Sequence, residues 1–489
     1  MGNRRKAKIE ASRRNHAGVA VGHSGGLVLA KYDAAGHGRR LRGWNPPSSG
    51  PNKAIQGLQT IRNRARDAER NEWAGASCSR VWTTNLIGTG IVPRPKTKDA
   101  NLKSKLAALW DEWTPYADAD GVLDFYGLQT MATRNWVSSG EIFIRRRDRR
   151  PEDGLAVPLQ VQLLESEMVP LLDTDSAPGM PVGNRIRSGI EFNRIGRRVA
   201  YWMYREHPGD RPVASANLTD LVRVPAELVR HMYEPTRPGQ LRGVSSFASI
   251  LVKLRGIMDM DDAVLERQKI ANLFTLFITR TSMGADPNID PITGQPVTQF
   301  DHDGAPMAAL EPGLSQELLP GEDVKFSDPP DAGTNYADFM RQQHLGTAAG
   351  HGTPYELLTG DLKDVSDRTL RVMLNEFRRH CEQRQWQIII PMFCRPVRDW
   401  WADAAALVGE LASVEAVEAK RVTWQPHGWA YIHPVQDAQG KKIEVDAGFR
   451  SRSSVIAERG DDPEGVDAER AADIERARGH KLLKGGNGQ

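Results

Sequence analysis

Cysteine is almost missing from this chain of 489 residues: only Cys78, Cys381 and Cys394 occur, an odd number with no CxxC spacing. That excludes a disulfide framework and a zinc finger or ribbon, and it suits a reducing compartment. Long apolar runs are missing too. No stretch approaches the roughly 18 apolar residues of a membrane span, and the bases near the N-terminus are not followed by the apolar core of a signal peptide. The expectation is a protein made in the cytoplasm, with no membrane contact. There is no P-loop, no HExxH and no GxGxxG after a strand-like segment. The twelve histidines are scattered, and the nearest pairs, His16/His23 and His427/His433, lack a carboxylate at ligand spacing. No metal and no cofactor is expected.

What the chain does hold is ample core and frequent punctuation. Twelve tryptophans supply packing volume, while 45 glycines and 30 prolines mark many turns, so a loop-rich mixture of helix and strand is expected. Net charge is only +3, but its sign is unevenly distributed. Residues 1–45 carry ten bases against Glu10 and Asp33, which reads as a basic arm over residues 1–50. Residues 281–335 carry ten acids against Lys325 alone.

Apolar periodicity outlines the elements between these extremes. A helical pattern runs from Asn52 to Ile87 with Gly88 as its stop, and Leu102, Leu106, Leu109, Trp110 and Trp113 repeat at helical spacing. "GEIFIRRR", "LQVQLLESEMV" and "ELVRHMYE" have strand composition, and "SGIEFNRIGRRVAYWMYRE" reads as a hairpin turning at Asn193–Gly196. Phe247 to Phe277 recur at three- and four-residue steps, predicting a helix over Ser246–Ile278 about 50 Å long. After the acidic segment a shorter helix is expected in "NYADFMRQQHLGTAAG", and a further one from Asp367 to Ile390, ended by Pro391. From Val455 to Gly485 the tail reads as one polar helix, then a glycine-rich end.

Two stretches resemble catalytic sites. "GDLKDVSDRTL" (Gly360–Leu370) gathers Asp361, Asp364 and Asp367 beside Lys363 and Arg368, as an acid/base or metal cluster would. "GHSGG" (Gly22–Gly26) fits GxSxG, but a nucleophile elbow needs a strand leading in and a helix leading out, and here no capped helix follows. A hydrolase using Ser24 or the Asp361/Asp364 pair is therefore the rival reading. His231 reads as a satisfied core or interface histidine rather than a general base.

The chain resembles the lambda-like portal proteins of tailed bacteriophages over nearly its whole length. The resemblance is carried by "RARDAERNEWAGASCSRVWTTNLIGTGI", "SGEIFIRR", "GIEFNRIGRRVAYWMYREHPGD", "VPAELVRHMYEPTRPGQLRGVSSFA", "GTPYELLTGD", "PVRDWWADAAALVG" and "GFRSRSSVIAERGDDPEGVDAERAADIERAR" in the family's order, "RPGQLRGVS" being the most specific. One departure stands out: where the family shows a YSS-like stretch after "LTGD", this chain reads "VSDRTLR". The resemblance implies an α+β portal fold and no enzyme activity. Its divisions are wing (51–244), stem helix (245–280), clip (281–334), second stem helix (335–356), tunnel loop (357–367), wing helix (368–400) and a C-terminal wing and crown region (401–489). It further implies a dodecameric ring at the capsid vertex of the virion, made in the host bacterial cytoplasm, with a channel for double-stranded DNA packaging and ejection. The implied partners are the terminase large subunit, a head–tail adaptor, and major capsid and scaffold proteins. Channel contacts then fall to Asp361, Lys363, Asp364, Asp367 and Arg368. Clip contacts with terminase or adaptor fall to Asp301, Asp303, Glu322, Asp323 and Lys325. Another head-completion structural protein is the third reading.

Overall fold

The computed structural model describes residues 48–53, 55, 57–210, 220–273, 335–363, 365–429 and 433–480, together with four strands at 19–21, 27–29, 277–280 and 322–325. The chain divides into two units, Met1–Ala54 and Ile55–Gln489. In the first, β1 (Val19–Val21) pairs antiparallel with β2 (Leu27–Leu29), Val21 opposite Leu27.

The second unit opens with two helices, α1 (Leu58–Asn71) and α2 (Trp73–Ile87), where one had been predicted. Glu72 between them is extended (φ −115°, ψ 124°), and Gly75 lies so close to the carbonyl of Ala68 that a Cβ would stand 2.4 Å from its oxygen. A sharp corner with the two backbones nearly touching is the result. After β3 (Val92–Pro95), α3 (Ala100–Trp113) starts at Asp99, whose carboxylate accepts from the amides of Asn101 and Leu102. α4 (Phe125–Ser139) starts likewise at Asp124 and stops at Gly140, which takes the left-handed φ of 89° that glycine tolerates.

Beyond Gly140 the chain turns to strands: β4 (Glu141–Asp148), β5 (Leu159–Leu164), β6 (Arg185–Arg187), β7 (Ile190–Phe192), β8 (Arg198–Tyr204), β9 (Leu221–Pro225) and β10 (Val229–Tyr233). They form a three-stranded sheet in the order β10-β4-β5 and a four-stranded antiparallel sheet β6-β7-β8-β9. The predicted hairpin at Asn193–Gly196 joins β7 to β8.

The predicted helix over Ser246–Ile278 is shorter than its periodicity. Ser246–Ser249 form a 3₁₀ turn capped by Ser245, the α-helix α5 runs from Leu251 to Leu273, and Phe277–Arg280 are β11. At 1.5 Å per residue α5 is about 35 Å long. The overreach has a physical cause: "FITR" carries aromatic and β-branched residues that suit a paired strand as well as a helix. β11 pairs with β12 (Glu322–Lys325), Arg280 opposite Glu322, so the acidic stretch 281–321 leaves and returns through one two-stranded ladder.

α6 (Tyr336–His351) runs back antiparallel to α5. Tyr336 hydrogen-bonds Asp261 at one end, and the Ser249 hydroxyl donates to the Gly350 carbonyl (2.9 Å) at the other. Then come α7 (Tyr355–Thr359) and α8 (Asp367–Arg384). Pro391 does not end α8. Gln385–Cys394 continue it as a π-helix, and α9 (Arg395–Leu407) follows without a break, the junctions at Gln385 and Arg395 keeping right-handed helical dihedrals. In an α-turn the proline ring collides with the carbonyl four residues back, whereas the wider π-turn relieves that collision. The chain closes with α10 (Ser413–Ala419), β13 (Val422–Gln425) paired to β3, α11 (Pro434–Asp446), α12 (Arg452–Glu458) and α13 (Pro463–Gly479). The tail is thus two helices where one was predicted, Gly460 taking a φ of 89° between them.

The main core forms where α2, α3, α4, the π-segment and α9 meet. Trp110 contacts Trp113, Phe125 and Trp401 with ring centroids 4.9, 5.1 and 5.2 Å apart. The buried Arg398 guanidinium lies 4.0 Å from the Trp401 ring centroid and 4.6 Å from that of Trp110, with its Nε donating to the Ala419 carbonyl. A second core joins the two larger sheets through Phe143, Ile190, Tyr201 and Met203.

Candidate functional site

The charged loop between α7 and α8 does not converge as an acid/base site would. Asp361 accepts from the Tyr355 hydroxyl (3.1 Å) and from the Lys363 amide (3.0 Å), while its own amide donates to Thr359 Oγ1 (3.1 Å). Arg341, on α6, approaches the same carboxylate at 4.0 Å, lies over the Tyr355 ring, and reaches the Lys363 carbonyl. The Lys363 amide, and after it Tyr355 and Arg341, hold the Asp361 carboxyl below the usual carboxylate range. Asp361 therefore folds the loop and fastens it to α6.

Asp367 is directed elsewhere. It is the first residue of α8, where a carboxylate meets the positive end of the helix, and it pairs with His433. Ser366 caps that helix by accepting from the Thr369 amide (3.2 Å). Lys363 and Arg368 are exposed, as is Leu362. Asp364, Asp301 and Asp303 lie outside the described residues, and Glu322, Asp323 and Lys325 lie in β12. Ser24 is also outside them, but Leu27–Leu29 downstream form a strand paired back to β1, not the helix an elbow requires.

Beneath this loop the helices are held by buried contacts. Ser77 on α2 donates to the Leu358 carbonyl (2.7 Å), Gln385 donates to the last-turn carbonyl of Leu86 (2.7 Å), and Arg384 stacks 4.1 Å from the Trp82 centroid. His351, at the end of α6, bridges Ser246 (3.0 Å) and Thr353 (2.8 Å), and burial pushes its pKa down to about 3.

The largest polar feature is one that sequence reasoning missed. Glu141, the buried first residue of β4, accepts from Arg242 Nε (2.8 Å), the Gly243 amide (2.7 Å) and Arg62, and its Oε2 lies 2.8 Å from His231 Nε2. Arg242, fully buried, also donates to the carbonyls of Val169 (2.9 Å), Ser188 (3.0 Å) and Ser166 (2.9 Å). Burial pushes the Glu141 carboxyl up, but Arg242 and Arg62 outweigh it and hold it well below the usual range. Burial pushes His231 down to about 4 against the pull of Glu141. Nδ1 of His231 has no hydrogen-bond partner among the described residues, so a second proton there would be buried without an acceptor. His231 is thus a core histidine, stacked at 4.3 Å on both Phe143 and Tyr233.

This node ties α1, β4, β10 and the segment just before α5 to one carboxylate. It accounts for much of "RPGQLRGVS": Gln240 folds the turn through Thr236, Arg242 fills the node, and Gly243 lies where a Cβ would stand 2.0 Å from the Gly140 carbonyl oxygen. The signal that could have found it was charge inside apolar strand sequence, at Glu141 before "IFI". Among the described residues, Glu165, Glu167 and His207 alone form a trio spaced to share a cation, and Arg66 already pairs with both carboxylates at 3.1 and 3.0 Å.

Residues 37–385 match the family model described as phage portal protein, lambda family. Among curated proteins the chain is similar to a probable portal protein of Halomonas phage phiHAP-1 (26% identical, covering 86% of this chain and 80% of that one). It is also similar to the portal protein of Escherichia phage N15 (23% identical, 90% of each) and to portal protein B of Escherichia phage lambda (22% identical, 90% of this chain and 89% of that one). Among solved structures it is similar to a chain in the virion of a native gene transfer agent particle, with 13% identity, a TM-score of 0.45, and coverage of 94% of this chain and 99% of that one.

Proposed function

Since this chain belongs to the lambda family of phage portal proteins, structural proteins rather than enzymes, we propose that it assembles as a dodecameric ring at the capsid vertex. Double-stranded DNA passes through the ring during packaging and ejection, and a separate terminase ATPase does the work. The observation that carries this reading is the order of elements after residue 245. A long helix runs out, a two-stranded ladder closes an acidic excursion, a second helix returns antiparallel, and a charged loop leads into α8.

In this reading α5 and α6 are the stem, 281–334 the clip and 357–367 the tunnel loop. Residues 51–244 and the continuation of α8 are wing, and the C-terminal helices supply the crown. The clip, including Asp301, Asp303, Glu322, Asp323 and Lys325, meets terminase and then the head–tail adaptor, while capsid and scaffold proteins surround the wing. The chemistry supports a conduit. A wall that neutralised many phosphates would hold DNA by counterion release, whereas an acidic clip and a loop of mixed charge grip it weakly. Because Asp361 is engaged by Tyr355 and the Lys363 amide, and Asp367 by His433, the charges among the described residues of the loop left to face DNA are the exposed side chains of Lys363 and Arg368.

Electron cryomicroscopy of the purified protein tests the assembly: a ring with a channel wide enough for B-form DNA is expected. ATP hydrolysis by that ring, free of terminase, would contradict the division of labour. Deleting residues 359–365 is expected to spare the ring and impair packaging or retention, read as DNA length per particle.

A further inference from the structure

Where β3 and β13 pair, far along the chain from the charged loop, the surface forms a concavity of about 670 Å³. Its lining carries Lys96, Lys98, Arg395, Lys420 and Arg421, with Glu418 as the one carboxylate, in a chain whose entire net charge is +3. Such a concentration of one sign is not the ordinary mixed surface. Two of the cations are committed: Arg421 pairs with Glu418 at 2.8 Å and Lys420 with Asp403 at 2.5 Å. Lys96, Lys98 and Arg395 are exposed and form no ion pair among the described residues.

The backbone fixes these groups in one place. The Lys96 amide donates to the Arg421 carbonyl (3.0 Å), extending the β3–β13 ladder by one rung. Arg395 sits on the unbroken helix that begins at Asp367, and 28 residues of rise place it about 40 Å from the charged loop. The concavity is therefore a separate site from the loop at the other end of that helix.

We propose that this concavity binds the phosphate backbone of double-stranded DNA outside the channel, anchoring it without reading its sequence. The proposal rests on the portal reading, which brings DNA to the protein. Phosphate recognition needs clustered cations and little else, and a nearby hydroxyl, Thr97, can add a donor. An acidic peptide fits less well, because peptide sites depend on accessible apolar or aromatic anchors. The one aromatic here, Trp424, is buried. Loose binding at the channel loop and firmer binding at this concavity are compatible, since only the channel has to let DNA slide.

The test uses the assembled full-length protein, a labelled mixed-sequence duplex and a poly-glutamate peptide, with anisotropy read between about 50 and 200 mM salt. The triple variant K96Q/K98Q/R395Q is expected to bind the duplex about ten-fold more weakly or worse, with the slope of log K against log salt shallower by about 2 to 3. Removing three exposed cations elsewhere, in R64Q/R70Q/R80Q, is expected to change both far less. Unchanged duplex affinity and slope in the first variant would overturn the proposal. So would loss of poly-glutamate binding with duplex binding retained, which would identify an acidic-peptide site. Either result with a channel-bearing ring intact leaves the portal reading standing, whereas absence of a ring counts against that reading alone.

Discussion

At the scale of single residues the most consequential group is Glu141, whose negative charge is shared by Arg62, Arg242 and His231 inside the protein. Removing one partner of a buried charge cluster leaves the others uncompensated, at a cost of about 3–5 kcal/mol. Glu141→Gln, nearly isosteric, is accordingly expected to lower urea-unfolding stability by about that amount. A loss below about 1 kcal/mol would show that the cluster relaxes without the charge. The two buried histidines set a pH dependence. His231 and His351 have folded pKa values lowered to about 4 and about 3, below the ordinary value of about 6.5. The unfolded chain thus binds more protons below pH ~6.5, and stability falls with acid by up to about 1.4 kcal/mol per pH unit for each histidine. The loss for His231 levels off near its folded value of about 4, and that for His351 near about 3. Urea midpoints taken from pH 7 to 5 are expected to fall, and His351→Gln is expected to flatten the fall.

At the scale of elements, α5 is only partly covered by the rest of its own chain. Phe247, Ile250 and Leu254 are buried near its start, yet Val252 is 84% exposed and Leu265 55% exposed. In the proposed ring these bare residues are available to a neighbouring subunit. V252S combined with L265S is expected to change single-chain stability by no more than about 0.5 kcal/mol per site. The same pair should shift the mass measured by light scattering from ring toward monomer. An unchanged ring mass would remove both positions of α5 from the subunit interface. The helix Asp367–Leu407 is the opposite case, with Ile388, Ile389, Ile390, Phe393 and Cys394 of its π-segment buried in the main core while Trp386 stays exposed. Packing of that buried face makes up for imperfect helix geometry around Pro391.

At the scale of the whole molecule, charge is divided by segment: a basic arm, an acidic excursion through β11 and β12, and a basic concavity beside β13. Removing residues 1–30 is expected to leave ring formation intact and to reduce incorporation into proheads, read as portal copies per particle. Equal incorporation would assign the arm no role in assembly.

The sequence by itself determined the mixed α and β character, the strands "EIFIRRR" and "RVAYWMY", the helix that carries Leu102, Leu106, Leu109, Trp110 and Trp113, and the long helix before the acidic segment. These depend on neighbours within a few residues, where apolar period, strand composition and glycine punctuation act. Its family was legible through block order. Tertiary structure decided what depends on partners far apart in the chain. Glu141 meets Arg62, His231 and Arg242 across 79, 90 and 101 residues, and no local pattern announces that convergence. Pro391 reads as a stop by its own geometry and is overruled by packing around the π-turn. Asp361 and Asp367 look like one cluster in sequence. The fold sends one to Tyr355 and Arg341 and the other to His433, because side chains six residues apart on either side of a helix cap face different neighbours.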